Sequence, residues 1–169
     1  MTWRHAFVIV LLSGCAVLTH QRTTVWRSER SLWEDAVLKA PTKPRPVMNL
    51  GRAHDLAGDR ELARMYYKDA VFASFDTRRP LYVRRYVRAA AETNLAHLLM
   101  SSGGEGDLMA ATAMLEQVIA AYPAFPFSHY NMAAILQAAG QCVAARNEIA
   151  VARRMDASLT MRGRCFDHD

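Results

Sequence analysis

Small and large apolar residues recur along the chain at a spacing of 34 residues, with polar positions between them. The matched positions are Trp33, Ala36 and Pro41 with Tyr67, Ala70 and Phe75, and Ala111, Leu115, Val118 and Pro123 with Ala145, Ile149, Ala152 and Ala157. A fixed period of this length is typical of proteins built by repeating one supersecondary unit.

A second motif marks the other half of the unit. It reads Asn49-Leu50-Gly51, Asn94-Leu95-Ala96 and Asn131-Met132-Ala133, and a glycine follows the middle residue by eight positions each time, at Gly58, Gly103 and Gly140. The motifs start 45 and 37 residues apart, which exceeds 34 by 11 and by 3. We expect local insertions at the arginine-rich segment 78–88 and in the turn 101–107.

This pattern predicts antiparallel helical hairpins. Small residues such as Gly51 and Ala63 allow two helices to approach closely, and large residues such as Leu50 and Tyr67 fill the space beside them. A glycine after each first helix allows the positive φ that ends it. One hairpin cannot bury its apolar face alone, so neighbouring hairpins must stack.

The chain resembles the tetratricopeptide repeat family over residues 29–157. The resemblance implies an all-α right-handed superhelix of three repeats behind a leading helix. The expected segments are 28–41 for the leading helix, 44–77, 89–125 and 126–157 for the repeats, 78–88 for the arginine-rich insertion and 158–169 for a tail. The usual first-helix tryptophan is absent, and Phe75 and Ala157 replace a usual proline.

The N-terminus is typical of an export signal or membrane anchor. Arg4 precedes an apolar run at 6–12 that extends, with small residues, to Leu18. The sequence Leu12-Ser13-Gly14-Cys15 is similar to the bacterial lipoprotein box, which implies a lipid on Cys15 and removal of residues 1–14, with 15–27 as a juxtamembrane tether. The alternatives are an uncleaved membrane helix and a packing helix. Either membrane interpretation puts the rest of the chain outside the cytoplasm, on the periplasmic side of the inner or outer membrane.

Composition excludes several classes of protein. The chain has 169 residues, 51% of them hydrophobic and 22% charged, as in a globular domain rather than a disordered one. No apolar run reaches the roughly 20 residues of a membrane span in a multi-span transporter. Enzyme motifs are missing: a phosphate loop, a nucleophile elbow and a metal-binding His-Glu-x-x-His. We therefore expect no catalysis, no cofactor, no metal and no small-molecule substrate.

Candidate binding residues lie on the predicted first helices, which line the concave side of such a superhelix. Asn49, Asn94 and Asn131 share one slot and could hold the backbone of an extended peptide. Arg45 and Arg52 share a face with Asn49 and could bind a carboxylate. Aromatic or ring contacts could come from His97, Phe127 and Tyr130. The alternatives are a solvated face and packing between repeats.

The segment 78–88 is a candidate patch for an anionic partner. It contains Arg78, Arg79, Arg84, Arg85 and Arg88 with Tyr82 and Tyr86, and no acid, in a chain whose net charge is +5. Lipid headgroups or phosphate suit this composition, whereas nucleic acid is not expected for an exported protein. The alternative is an extension of the next helix, with Leu81, Val83 and Val87 buried.

Two cysteines remain if Cys15 carries a lipid. Cys142 begins the last predicted helix and Cys165 lies beyond its end, so a disulfide requires the tail to fold back along that helix. The terminal residues 165–169 have no recognised metal-ligand spacing.

The sequence thus favours a non-catalytic scaffold or assembly factor that binds protein partners in an envelope or membrane complex. One alternative is a permanent structural subunit of such a complex. Another is an accessory remnant of a membrane glycosyltransferase system, because the stretch from Arg22 to Gly58 is similar to the periplasmic tails of multi-span proteins of that kind.

Overall fold

The structure, a computed structural model, describes residues 3–76, 78 and 80–166. Eight helices and no strand occur in these residues, which confirms the all-α prediction. The helices are α1 (Trp3–Val25), α2 (Glu29–Lys39), α3 (Pro44–Leu56), α4 (Arg60–Ala73), α5 (Leu81–Met100), α6 (Glu105–Ala121), α7 (Pro126–Ala138) and α8 (Cys142–Met155).

From α2 onwards the helices form a stack of antiparallel hairpins. Each helix packs against the next, and the first helices also contact one another, α3 with α5 and α5 with α7. The hairpins α3–α4, α5–α6 and α7–α8 follow the leading helix α2. This is a tetratricopeptide-like fold.

The turns follow the chemistry that the sequence predicts. Gly58, Gly103 and Gly140 have φ values of 84°, 76° and 75°, so each occupies the left-handed region after a first helix. Proline stands at the start of α3 and of α7, where its missing N–H costs no helical hydrogen bond. These turns return each second helix along its first helix.

The core is built from the small and large slots of the repeat. Ala96 lies with Leu115 in one apolar cluster, and Ala133 lies with Ile149 in another. In the first hairpin the pair is Gly51 and Tyr67, and Tyr67 is buried to 1% exposure. Gly51, the smallest residue in this slot, therefore faces Tyr67, the largest residue in the partner slot.

The arginine-rich segment 78–88 does not form a separate element. From Leu81 it is helical and lengthens α5 at its N-terminus. Val87 is buried and Val83 packs on the core, whereas Leu81 is exposed. This arrangement agrees with the interpretation of the segment as an extension of the next helix, except that Leu81 is exposed rather than buried.

The apolar N-terminal segment is one long helix. α1 runs without a break past Cys15 and through most of the expected tether at 15–27. It is the one helix of the described residues that is long and apolar enough to cross a membrane, by length and composition alone. α1 contacts only α2, and the guanidinium of Arg22 lies 2.9 Å from the carboxylate of Asp35.

Arg60, at the start of α4, joins two repeats. Its guanidinium donates to the carbonyl oxygens of Leu98 and Ser101, at 2.7 and 3.1 Å, and to the Ser101 hydroxyl at 2.8 Å. A cation at a helix C-terminus satisfies carbonyl groups that lack helical partners. Arg60 therefore ties the first hairpin to the end of α5.

A C-terminal strap, residues 156–166, folds back over the last hairpin. Cys165 is joined to Cys142, with 4.9 Å between their Cα atoms. The strap packs its apolar side chains, Leu159, Met161 and Phe166, against Ala133, Ile149 and Ala152. The strap thus covers the apolar end of the array.

Candidate partner-binding face

The first helices α3, α5 and α7 lie side by side and carry most of the predicted binding residues. The three asparagines of the shared slot, Asn49, Asn94 and Asn131, are half-buried. Arg45 and Arg52 on α3 and His97 on α5 are exposed. Spacings of three and four residues put Arg45, Asn49 and Arg52 on one face of α3. The surface has donors and cations available to a partner.

One of these asparagines also contributes to packing between repeats. The amide nitrogen of Asn131 donates to the carbonyl oxygen of Thr93 on α5, at 3.3 Å. A primary amide has two N–H groups and one acceptor oxygen. One N–H and the oxygen of Asn131 therefore remain for a partner, so the structural and the binding interpretation of this residue are compatible.

The predicted aromatic residues do not form one group. Phe127 is about half exposed, and its ring centre lies 5.8 Å from that of Phe125. Tyr130 instead donates its hydroxyl to the Thr160 carbonyl of the strap, at 3.2 Å. Phe127 thus presents an exposed ring at the start of α7, whereas Tyr130 contacts the strap.

The N-terminal extension of α5 adds Tyr86 to this face. The guanidinium of Arg45 lies 5.9 Å from the centre of the Tyr86 ring. On its other side Tyr86 meets Phe125 edge to face, with 5.8 Å between ring centres. We call the rings of Tyr86, Phe125 and Phe127 the aromatic row, and the Arg45 guanidinium of α3 lies at its end. The row runs from α5 to the start of α7, and the sequence analysis did not identify Phe125.

A cleft of about 290 Å³ opens beside the row. It is lined by Tyr86 and Arg85 on α5 and by Tyr122, Pro123 and Phe125 between α6 and α7. Tyr122 is half-buried, whereas Arg85 is exposed. The cleft therefore has an aromatic and aliphatic wall with a cation at its edge.

The arginines of the predicted anionic-partner patch differ in their surroundings. Arg78 pairs with Asp76 at 2.9 Å, and Arg88 pairs with Glu92 at 2.8 Å while lying 4.6 Å from the Phe75 ring centre. Hydrogen bonds from these two guanidinium groups to the carboxylates raise the pKa of both arginines. The positive charges of Arg78 and Arg88 are thus each paired with a carboxylate.

The other described residues of the patch differ in exposure. Arg84 is half-buried, and Arg85 is exposed without an ion pair among the described residues. Tyr82 is 75% exposed, compared with 52% for Tyr86. Arg79 lies outside the described residues. The described arginines of the patch therefore differ in their surroundings.

A larger groove lies on the opposite, second-helix side. It has a volume of about 620 Å³ between the end of α2 and α4, and its lining includes Val37, Tyr66, Phe72 and Phe75. Phe72 is 80% exposed. The sequence analysis did not identify this apolar groove. The aromatic residues Phe72 and Phe75 at the end of α4 are the sequence feature that could have indicated it.

Buried histidines are structural in this fold. His129 is buried, and its ring nitrogens lie 2.7 Å from Glu148 and 3.0 Å from the Pro123 carbonyl oxygen. His54 stacks on Tyr66 with ring centres 5.3 Å apart. The described part of the chain contains no cluster of histidine, cysteine and acidic side chains suited to a metal ion.

Comparisons with known proteins give matches among solved structures only. No family model matches the chain, and no curated protein matches it. Among the solved structures that match is one titled "MamA RS-1 ArsTM double mutant", with a TM-score of 0.48 and 16% identity over 87% of this chain and 74% of that chain. At this identity and TM-score the likeness says nothing about function. The class that the chain's own architecture defines is an array of tetratricopeptide-like hairpins.

Proposed function

We propose that this protein is a non-catalytic scaffold that binds a protein partner along its first-helix face. The observation that carries the proposal is the aromatic row with Arg45 at its end, which links α3, α5 and the start of α7, the helices that also carry Asn49, Asn94 and Asn131. Amide groups and exposed cations can hold an extended backbone and its acidic groups, and aromatic rings supply apolar contact. Tetratricopeptide-like arrays characteristically present such a surface.

The scaffold is tethered to a membrane through α1 and works on the extracytoplasmic side. The apolar side chains of α1 are exposed throughout, so this helix needs another apolar environment. The Cys142–Cys165 bond supports an oxidising compartment, since disulfides persist there and are rare in the cytosol. At 23 residues α1 is about 35 Å long, enough for an uncleaved span.

The form of the tether has a direct test. Mass spectrometry of the protein purified from membranes distinguishes a chain that begins at a lipidated Cys15 from one that keeps residues 1–14. A diacylglyceryl adduct on Cys15 establishes the lipoprotein. An unmodified chain that retains Trp3 in its peptide map supports an uncleaved helix instead.

The binding face is tested by site-specific crosslinking in native membranes. A photoreactive amino acid at His97 on the first-helix face is compared with one at Glu116, which is exposed on the second helix α6. We expect a discrete adduct from His97 and none from Glu116. The same adduct from both positions, or none from His97, contradicts the proposal.

The asparagines are tested separately. Replacing Asn49, Asn94 and Asn131 with alanine should weaken partner capture, because each substitution removes amide donors from the face. Asn131→Ala alone also removes the bond to Thr93. A comparison of unfolding midpoints therefore has to separate lost binding from lost stability.

A second function, a permanent structural subunit, is favoured by the apolar groove. A permanent interface buries more than about 2,000 Å² with an apolar centre, and Phe72 and Phe75 would contribute to such a surface. Crosslinking from position 72 supports this alternative if its adduct survives as a stoichiometric complex through purification. Dissociation of the partner in dilute detergent supports the transient scaffold.

A further inference from the structure

We propose that the cleft beside Tyr86 binds one aromatic side chain of an extended partner segment whose neighbouring residues are acidic. The inference rests on the proposed scaffold function and specifies the partner. Two features carry it: the shape and lining of the cleft, and the sign of the charges around it.

The lining fits an aromatic ring. The cleft of about 290 Å³ is lined by Tyr86 and Phe125, and these two rings meet edge to face with their centres 5.8 Å apart. Aromatic rings prefer such offset or edge contacts, with ring centres about 4.5–7 Å apart. Tyr86 is 52% exposed, so it has ring surface to offer a partner. An aromatic side chain can therefore extend the existing row.

The charges around the cleft fit acidic neighbours. Arg85 lines the cleft and Arg45 lies against Tyr86 from α3. Neither guanidinium has an ion pair in the described part of the chain, whereas Arg78 and Arg88 do. The lining of the cleft itself contains no carboxylate. Carboxylates beside the bound ring would find these two cations, and a basic segment would be repelled.

The extension of α5 supplies Tyr86 to the cleft. Tyr86 lies in the 11 residues that exceed the 34-residue period, so a regular repeat would have no side chain there. Tyr82 is the internal control. It lies one helical turn earlier on the same extension and is 75% exposed, yet it does not line the cleft.

The test uses the full-length protein in a non-ionic detergent and short fluorescent peptides as probes. The first peptide has one phenylalanine flanked by glutamates. The second has alanine in place of the phenylalanine, and the third has lysines in place of the glutamates. Fluorescence anisotropy gives the dissociation constant of each. Vesicles containing anionic lipid, with the same protein variants, test the membrane as another source of negative charge.

We expect the first peptide to bind, and the alanine and lysine peptides to bind at least about tenfold more weakly, as for the loss of one interface anchor. Tyr86→Ala should weaken binding of the first peptide by a similar factor, and Tyr86→Phe should retain its binding. Tyr82→Ala should change binding by less than about twofold. Arg45→Gln with Arg85→Gln should weaken binding and reduce its salt dependence, unlike Arg154→Gln on α8.

Several results overturn the inference. They are equal effects of Tyr82→Ala and Tyr86→Ala, equal binding of the phenylalanine and alanine peptides, no binding of any peptide, or a Tyr86 effect seen only with vesicles. Helical circular dichroism of each variant controls for folding. The crosslinking result at His97 is independent of these outcomes, so failure of the cleft and failure of the scaffold are distinguishable.

Discussion

Gly51→Ala is a sharp test of how the hairpins pack. A β-carbon added at Gly51 would lie 2.9 Å from Cδ1 and 3.0 Å from Cε1 of Tyr67, and 3.1 Å from Cβ of Tyr66. Non-bonded carbons are comfortable at about 3.5–4.0 Å. Tyr67 cannot easily move, because it is 1% exposed and its hydroxyl donates to Asp55 at 3.3 Å. Burial and the Asp55 carboxylate also raise the pKa of Tyr67, so it stays a neutral donor.

The size of the effect follows from two opposed terms. Overpacking a tight core costs about 1–3 kcal/mol, while alanine is favoured over glycine inside a helix by about 1 kcal/mol. We expect a net loss of about 1 kcal/mol. The other hairpins pair alanine with a smaller side chain, Leu115 or Ile149. Tyr67→Leu should therefore relieve the clash, with a coupling energy of about 1–2 kcal/mol in the double-mutant cycle.

The assay is guanidinium unfolding of the full chain in detergent, followed by helical circular dichroism, for the two single variants and the double variant. Gly106→Ala in α6 is the matched control, since an added β-carbon there meets nothing within 4 Å. Two results refute the reasoning. One is additivity of the two substitutions within about 0.5 kcal/mol. The other is equal stability of the Gly51 and Gly106 variants.

Three further predictions concern contacts outside the core slots. Cys165→Ser opens a loop closed over 23 residues and should cost about 3 kcal/mol, with rapid hydrogen exchange confined to the strap; uniform exchange along the chain would contradict this. Arg60→Ala should lower the free energy of unfolding by about 2 kcal/mol, because charged hydrogen bonds to the end of α5 are lost. An unchanged melting temperature would contradict the role of Arg60 in joining the two repeats. Hydrogen bonds from Lys39 within α2 and then from Arg22 on α1 lower the pKa of Asp35, so these two ion pairs, the second of which joins α1 to α2, are fully stabilising above the unfolded pKa of about 3.9 and are lost as pH falls through the folded value. Spin-label distances between α1 and α2 should broaden on acidification, and Asp35→Asn should broaden them at neutral pH; an acid-insensitive distance would argue against the contact.

The repeat could be predicted because its determinants are local in the sequence. Small residues, large residues and glycines recur at fixed offsets, and each has one physical role. The small residues allow the helices to approach closely, the large residues fill the space beside them, and the glycines adopt the positive φ that ends each first helix. Gly58, Gly103 and Gly140 show the outcome directly, since all three have the backbone geometry that the pattern requires. Insertions shift these positions without changing their roles.

The aromatic row and the Arg45 contact at its end could not be predicted in the same way. Arg45, Tyr86 and Phe125 come from three segments at irregular spacing, and they meet only because α5 is longer than the repeat requires. Tyr82 and Tyr86 look equivalent in the sequence, yet only Tyr86 reaches the loop before α7. Arg60 is similar, because its partners are two backbone carbonyl groups and the Ser101 hydroxyl, which no sequence pattern marks.

The C-terminal strap has a consequence for assembly. Stacked hairpins would add further copies end to end if their terminal apolar faces were open, and such heterologous contacts grow into filaments unless they close into a ring. Here Leu159, Met161 and Phe166 occupy the last face, and a covalent link holds them there. A second copy cannot stack on this end while the strap covers it, so the strap opposes head-to-tail polymerisation through this face.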